Sequence, residues 1–264
     1  MNFLRKEFAP ISEEAWKEIN RQAKDTLMAN LSSRKFVDVD GPKGLDFSAV
    51  SLGRLFLPKA QKGAVKYGIS TILPLIEIRT PFSLGLWELD NIERGAKDIN
   101  LDPLTEAAKQ TAAFEETAVY NGFKEGGIAG LNHLEVPKIA MSLDKDSVTD
   151  AVTEAVAMMR KEGVTGGANL VVNQDLWKFL AHVVPGGTLG DTVKAQIGGS
   201  IIYSNSVDGA MLVSARGGDA ELTVGQDFAI GYTSHDSENI NLFVTESFTF
   251  RVINPEGFVR FTVK

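Results

Sequence analysis

The sequence predicts an α+β fold. Three observations carry this reading: helix-period apolar patterns near Ser12–Leu31, Asp102–Gly122 and Ser147–Glu162, a C-terminal run with strand alternation, and short strands mixed with helices without regular βαβ succession. At 264 residues the chain can form one large domain or two small ones, with a core that needs no covalent staples.

The first helix pattern opens at Ser12, a capping residue, and Glu13 and Glu14 suit the positive end of its dipole. Trp16, Ile19, Ala23, Leu27 and Leu31 form one apolar stripe, with Lys17, Arg21 and Asp25 away from it. From Phe36 to about Ile78, short apolar runs are broken by turn chemistry at Gly41-Pro42-Lys43-Gly44 and a polar stretch from Pro58 to Gly63. This predicts an extended two-stranded excursion, weakly stable unless something covers it. Asp102 and Pro103 open the second helix as cap and first-position proline. Leu104, Ala107, Ala108, Thr111, Ala112, Glu115, Ala118 and Val119 follow as a spine whose small residues admit close neighbours. The third helix turns Val148, Val152, Ala155, Val156 and Met159 inward, and Gly163 stops it.

A β–α–β stretch follows: Leu170–Val172, a helix after Asn173 through His182, and Ile201–Tyr203. Short strands are expected at Ala210–Ser214 and Glu221–Val224. In the last long strand Leu242, Val244, Phe248, Phe250 and Val252 share one face, and Thr245, Ser247, Thr249 and Arg251 the other. Phe258–Val263 is expected to pair with it across Asn254–Gly257.

Lys and Arg number 27 against 34 Asp and Glu, a net charge of −7. That balance repels phosphate, and the densest basic cluster is the pair Arg34-Lys35, so nucleic acid is not an expected partner. No run of about 20 apolar residues could span a bilayer, and Met1–Phe8 lacks the pattern of a secretory signal. No membrane partner and a cytoplasmic location are expected. The absence of cysteine excludes disulfides, thiolate metal sites and cysteine nucleophiles.

Gly186–Asp191 resembles a phosphate loop but follows a helix and lacks the lysine–hydroxyl pair, so it predicts a flexible exposed loop. The acids from Asp144 to Asp150 imitate a calcium loop, yet Thr149 and Ala155 stand where glycine and glutamate are required, and helix capping explains the acids better. His133, His182 and His235 lie far apart, so no metal is expected. No Gly-x-Ser-x-Gly exists, and Glu115 and Glu116 diverge by about 100° on their helix. No catalytic residue is predicted.

Several segments together resemble the encapsulins, the linocin-like shell proteins of bacteria and archaea. They are Phe8–Ile11, Arg34–Pro42, Leu73–Arg79, Leu86–Gly95, Arg216–Asp219, Gly225–Tyr232 and Glu246–Val252, in family order over nearly the whole chain. The resemblance implies the fold of tailed-phage major capsid proteins. On that map residues 1–44 hold the N-terminal helix and the start of the peripheral domain, and 45–76 the E-loop that clasps a neighbour. Residues 77–130 and 225–264 form the peripheral domain with its spine helix, and 131–224 the axial domain. The E-loop carries Gly44-Leu45-Asp46-Phe47 where many relatives place an aromatic directly after the glycine.

The resemblance further implies a non-enzymatic subunit that assembles with itself into a closed icosahedral shell of about sixty copies. Chemistry would belong to the enclosed cargo, a ferritin-like protein or dye-decolorising peroxidase serving iron storage or oxidative-stress defence. The cargo's C-terminal targeting peptide would lie against Leu27, Leu31 and Ile230, with Arg34 and Asp38 as polar anchors. Pro185, Gly186, Gly187, Thr188 and Leu189 would line an uncharged pore that selects by size. Arg79 and Trp87 match a flavin position of some relatives, the one cofactor the resemblance suggests. The alternatives are a viral or prophage capsid protein, disfavoured by the acidic charge and the lack of a basic arm, and more remotely a hydrolase.

Overall fold

The computed structural model describes residues 3–263. In chain order its elements are helix α1 (Glu13–Asn30), strands β1 (Asp38–Asp40), β2 (Ala49–Phe56), β3 (Ile69–Pro74) and β4 (Ile76–Gly85), then helices α2 (Leu86–Glu93) and α3 (Asp102–Asn121). There follow β5 (Lys138–Met141), α4 (Lys145–Lys161), β6 (Ala168–Val172), α5 (Gln174–Leu180), the two-residue strands β7 (Val183–Val184) and β8 (Gly187–Thr188), and α6 (Leu189–Ile197). The last are β9 (Ile201–Tyr203), β10 (Ala210–Ser214), β11 (Ala220–Val224), β12 (Ala229–His235), β13 (Asn239–Val252) and β14 (Phe258–Val263).

Two five-stranded sheets organise the described residues. In the first, β13 runs antiparallel to β4, β12 and β11, and β11 pairs in parallel with β1. The second has the order β5-β14-β10-β6-β9. The length of β13 follows from its β-branched and aromatic content. Ile240, Leu242 and Val244 pack in one cluster with Ala15, Ile19 and Ala23 of α1, while Phe248 and Phe250 join Ala118 and Val119 of α3 in another. Its hydroxyl-rich face is buried as well, and Thr245 Oγ1 donates to the Ile78 carbonyl at 2.8 Å.

The final strand departs from expectation: β14 lies antiparallel to β10 and parallel to β5, in the second sheet. A 3-10 turn, Pro255–Gly257, precedes it. Phe258 then joins the β13 core while Val259 and Phe261 join the core of the second sheet, so both clusters gain apolar burial. Residues 220–224 belong with the first sheet and 258–263 with the second.

Local chemistry accounts for most helix ends. Ser12 Oγ accepts from Ala15 N at 3.2 Å, Asp144 from Ser147 N at 2.8 Å, and Asn173 from Leu176 N at 3.0 Å. At α3 the expected cap fails: Asp102 lies inside the helix and makes no capping bond, although Pro103 occupies the first turn. Helices α2 and α6 were not predicted; both are short, and α6 begins inside the stretch read as a flexible loop. Strands β2 and β3 form the expected hairpin arm, with a register break between Ser51 and Leu55 where Gly53 takes φ +64°.

Candidate functional site

A cavity of about 600 Å³ lies between α1, the 3-10 turn Ser33–Lys35 and the segment leading into β12. Its apolar walls are Leu27, Leu31, Phe228 and Ile230, and Met28 stands at its lip, 61% exposed. Helical spacing brings Leu27 and Leu31 to one face, where they pack on Ala108 and Ala112 of α3. The small spine residues permit that approach. Four of the five residues expected to meet here do so: Leu27, Leu31, Arg34 and Ile230. Asp38 does not. It belongs to β1, whose pairing with β11 turns it toward the 216–219 loop, and its carboxylate accepts from Gly218 N at 2.5 Å.

Behind the cavity wall sits a buried ionic network centred on Arg34. Its Nε lies 3.0 Å from both oxygens of Glu115, Nη2 is 2.6 Å from Glu115 Oε2, and Nη1 is 3.0 Å from Asp227 Oδ1. Nη2 also donates to Glu246 Oε1. The guanidinium stacks 4.6 Å from the centre of the Phe228 ring. Glu115 and Glu246 are fully enclosed, and Glu246 Oε2 has no partner among the described residues. Burial opposes the charge of Arg34, but the hydrogen bond and charge of Glu115, with the charges of Glu246 and Asp227, hold it above its ordinary value. Burial, then the neighbouring charge of Glu115, pushes Glu246 well above the usual carboxylate range.

The next residue on α3 completes the attachment. Glu116 accepts from Ser32 N at 3.0 Å, Ser33 N at 2.8 Å and Ser33 Oγ at 2.6 Å, and also from Ser32 Oγ. Burial raises its pKa more than these donors lower it. The divergence of Glu115 and Glu116 thus has a use: one holds Arg34 and the other Ser32 and Ser33, fastening the turn after α1 onto the spine. Sequence reasoning missed this network. Two signals were visible, an acid in the apolar stripe of α3 and another, Glu246, on the apolar face of β13.

The expected pore loop is a small hairpin, β7 against β8, that leads into α6. Leu189 is buried in the core and cannot line a pore. Thr188 is occupied: its Oγ1 accepts from Asp191 N at 3.1 Å, and Asp191 accepts from Thr188 N at 2.9 Å, a capping box. Asp191 also puts a carboxylate against this loop, so it is not uncharged. Thr188→Val removes the cap acceptor and is expected to cost about 1 kcal/mol, whereas Thr188→Ser keeps both that acceptor and the hydroxyl that donates to Asp191 Oδ2 at 2.7 Å and should cost little. Thermal unfolding of the two variants measures the difference.

Arg79 and Trp87 do not converge. The Arg79 guanidinium pairs with Glu77 at 2.7 Å and lies 5.1 Å from the Phe243 ring centre. Trp87, on α2 beyond the far end of β4, faces Arg94 at 5.8 Å. From Arg79 to the end of β4 the strand rises about 20 Å. Within one subunit each of the two side chains therefore has partners of its own. Among the described residues, no group of three His, Asp or Glu is arranged to hold a metal ion. No helix among them is long and apolar enough to cross a membrane.

The family described as encapsulating protein for peroxidase matches residues 1–249. A type 1 encapsulin shell protein of Rhodospirillum rubrum is 41% identical, covering 98% of this chain and 96% of its own length. Among solved structures, the virus-like particle of Pyrococcus furiosus aligns with a TM-score of 0.68 at 16% identity, over 92% of this chain and 98% of that one. The capsid of the Myoviridae phage XM1 aligns at 0.59 and 12% identity, over 89% and 92%. The fold is therefore that of a viral capsid subunit.

Proposed function

Because this chain belongs to the encapsulin shell-protein family, we propose that it builds a closed cytoplasmic compartment of about sixty copies around a cargo enzyme, and that the α1 cavity holds the cargo's C-terminal segment. A peroxidase, the cargo in the matched family's description, is the first candidate, and a ferritin-like protein for iron storage the second. The exposed β2–β3 arm clasps a neighbouring subunit, and the Pro185–Gly187 tip borders an opening for small solutes. The shell subunit itself performs no chemistry.

The observation that carries this reading is the convergence of Leu27, Leu31 and Ile230 on one cavity beside Arg34. Its volume lies within the usual range of ligand sites, about 300–1,000 Å³. Two or three aliphatic side chains buried there gain about 1.5–3 kcal/mol each, enough to offset the ordering of a short extended tail. A capsid around a genome is the weaker reading: identity to the shell protein is 41%, against 12% to the phage capsid.

Met28 allows a clean test, because it lines the cavity yet contributes little to the core. Met28→Asp is expected to give intact but hollow shells when purified from the producing cell, where the wild type is filled. Electron microscopy reads lumen density directly. Equally filled variant shells would refute the cavity as the cargo site.

A further inference from the structure

Three lysines line the cavity: Lys6 on the 3-10 turn Lys6–Phe8, Lys24 on α1, and Lys35 beside Arg34. None of them makes an ion pair among the described residues. The one acid in the lining, Asp227, is committed, bonded to Arg34 at 3.0 Å and accepting from Phe228 N at 2.9 Å. The Lys6 ammonium is partly withdrawn from water, 5.1 Å from the centre of the Trp16 ring, and burial lowers its pKa. A desolvated ammonium with no counter-ion is costly, and a ligand anion would remove that cost. On a chain of net charge −7, an apolar cavity with three uncompensated cations is a local inversion of sign.

We infer that this cavity recognises the free α-carboxylate of a peptide's C-terminus, the lysines taking the carboxylate while Leu27, Leu31 and Ile230 take the preceding apolar side chains. The inference rests on the reading of the cavity as a cargo site. A chain end supplies both features on one short extended segment and passes the mouth once, whereas an internal loop must pass twice through about 600 Å³. Ammonium–carboxylate hydrogen bonds are about twice as strong as neutral ones, and this rim leaves its donors free for them.

Three labelled peptides test it: acetyl-Gly-Leu-Gly-Ile-Gly-Leu as the free acid, the same peptide as the C-terminal amide, and an amide with its third residue changed to Glu. Shells are dissociated and reassembled around graded concentrations of each, and the retained label gives relative affinity. The free acid is expected to bind about tenfold tighter than the plain amide at low salt, and high salt should shrink that gap. Combining Lys6→Met, Lys24→Met and Lys35→Met should abolish the gap, with Lys6→Met alone as the milder variant if the triple change assembles poorly. Equal binding of acid and amide, both lost in Met28→Asp, overturns carboxylate recognition while leaving the cavity as a peptide site. If the Glu-containing amide matches the free acid, a side-chain carboxylate suffices and recognition of the terminus is overturned. Retention of none of the peptides by wild-type shells overturns both readings.

Discussion

Replacing Arg34 with methionine is expected to destabilise the subunit by about 3–5 kcal/mol, the usual cost of removing one partner from a buried ion group. Methionine keeps much of the apolar stem, so the loss isolates the charge. Glu115 and Glu246 would remain enclosed without a cation, and Phe228 would lose the guanidinium stacked on it. For a chain of this size the thermal midpoint should fall by about 10 °C. Arg34→Lys should recover little, because one ammonium cannot face Glu115, Asp227 and Glu246 with the geometry of a planar fork. Combining Arg34→Met with Glu115→Gln and Glu246→Gln should restore most of the loss. If Arg34→Met alone melts with the wild type, the network contributes nothing to stability.

The same network sets a pH dependence whose sign is opposite to that of an ordinary ion-paired carboxylate. Burial, then the charge of Glu115, raises Glu246 well above its ordinary value of 4.5, and burial raises Glu116 from the same value. Above pH 4.5 the unfolded chain gives up these protons while the folded one keeps them. Stability from these two groups therefore falls as pH rises from 4.5 through the raised values. Glu246→Gln cannot ionise, so its stability should fall less steeply over that interval and at neutral pH should equal or exceed that of the wild type. Denaturant midpoints across pH measure this, and an unchanged slope would count against a protonated Glu246.

How far the sequence discloses the molecule depends on whether a feature is local. The α1 stripe, the stop at Gly163 and the alternation of β13 are written in neighbouring residues, and each is found where the sequence predicts it. The pairing of β14 depends on which of two cores can take Val259 and Phe261, and nothing in Asn254–Gly257 encodes that choice. Helix α6 was hidden because glycines next to Thr188 and Asp191 look like a loop until the capping box is seen. At the cavity, Leu27 and Leu31 follow from spacing, whereas bringing Ile230 and Asp227 to them requires β12 to settle beside β13. Arg34 belonged to the expected set, but its three partners lie 81, 193 and 212 residues away. Asp38, only four residues from Arg34, is carried elsewhere because a strand begins there.

The largest expected effect on assembly lies in the β2–β3 arm. Leu55, Phe56, Leu57, Val65, Tyr67 and Ile69 are all exposed on it, a concentration of large apolar side chains that a solitary subunit would not leave uncovered. A two-stranded hairpin is marginal by itself, so a covering surface stabilises both the arm and the contact. In the closed shell proposed above, that cover would be another copy of the same chain, each subunit giving and receiving one arm. Phe56→Asp with Ile69→Asp removes two such contacts, about 4–6 kcal/mol per subunit at about 2–3 kcal/mol each. Since 1.4 kcal/mol is tenfold, the concentration needed for assembly should rise roughly a thousandfold or more. Neither residue belongs to a core cluster, so the variant subunit should keep its fold and its far-ultraviolet circular dichroism. Native mass spectrometry and electron microscopy should then find folded subunits or small oligomers where the wild type gives shells. Closed shells at the wild-type concentration would mean that the arm does not hold the shell together, and the apolar surface it exposes would need a different partner.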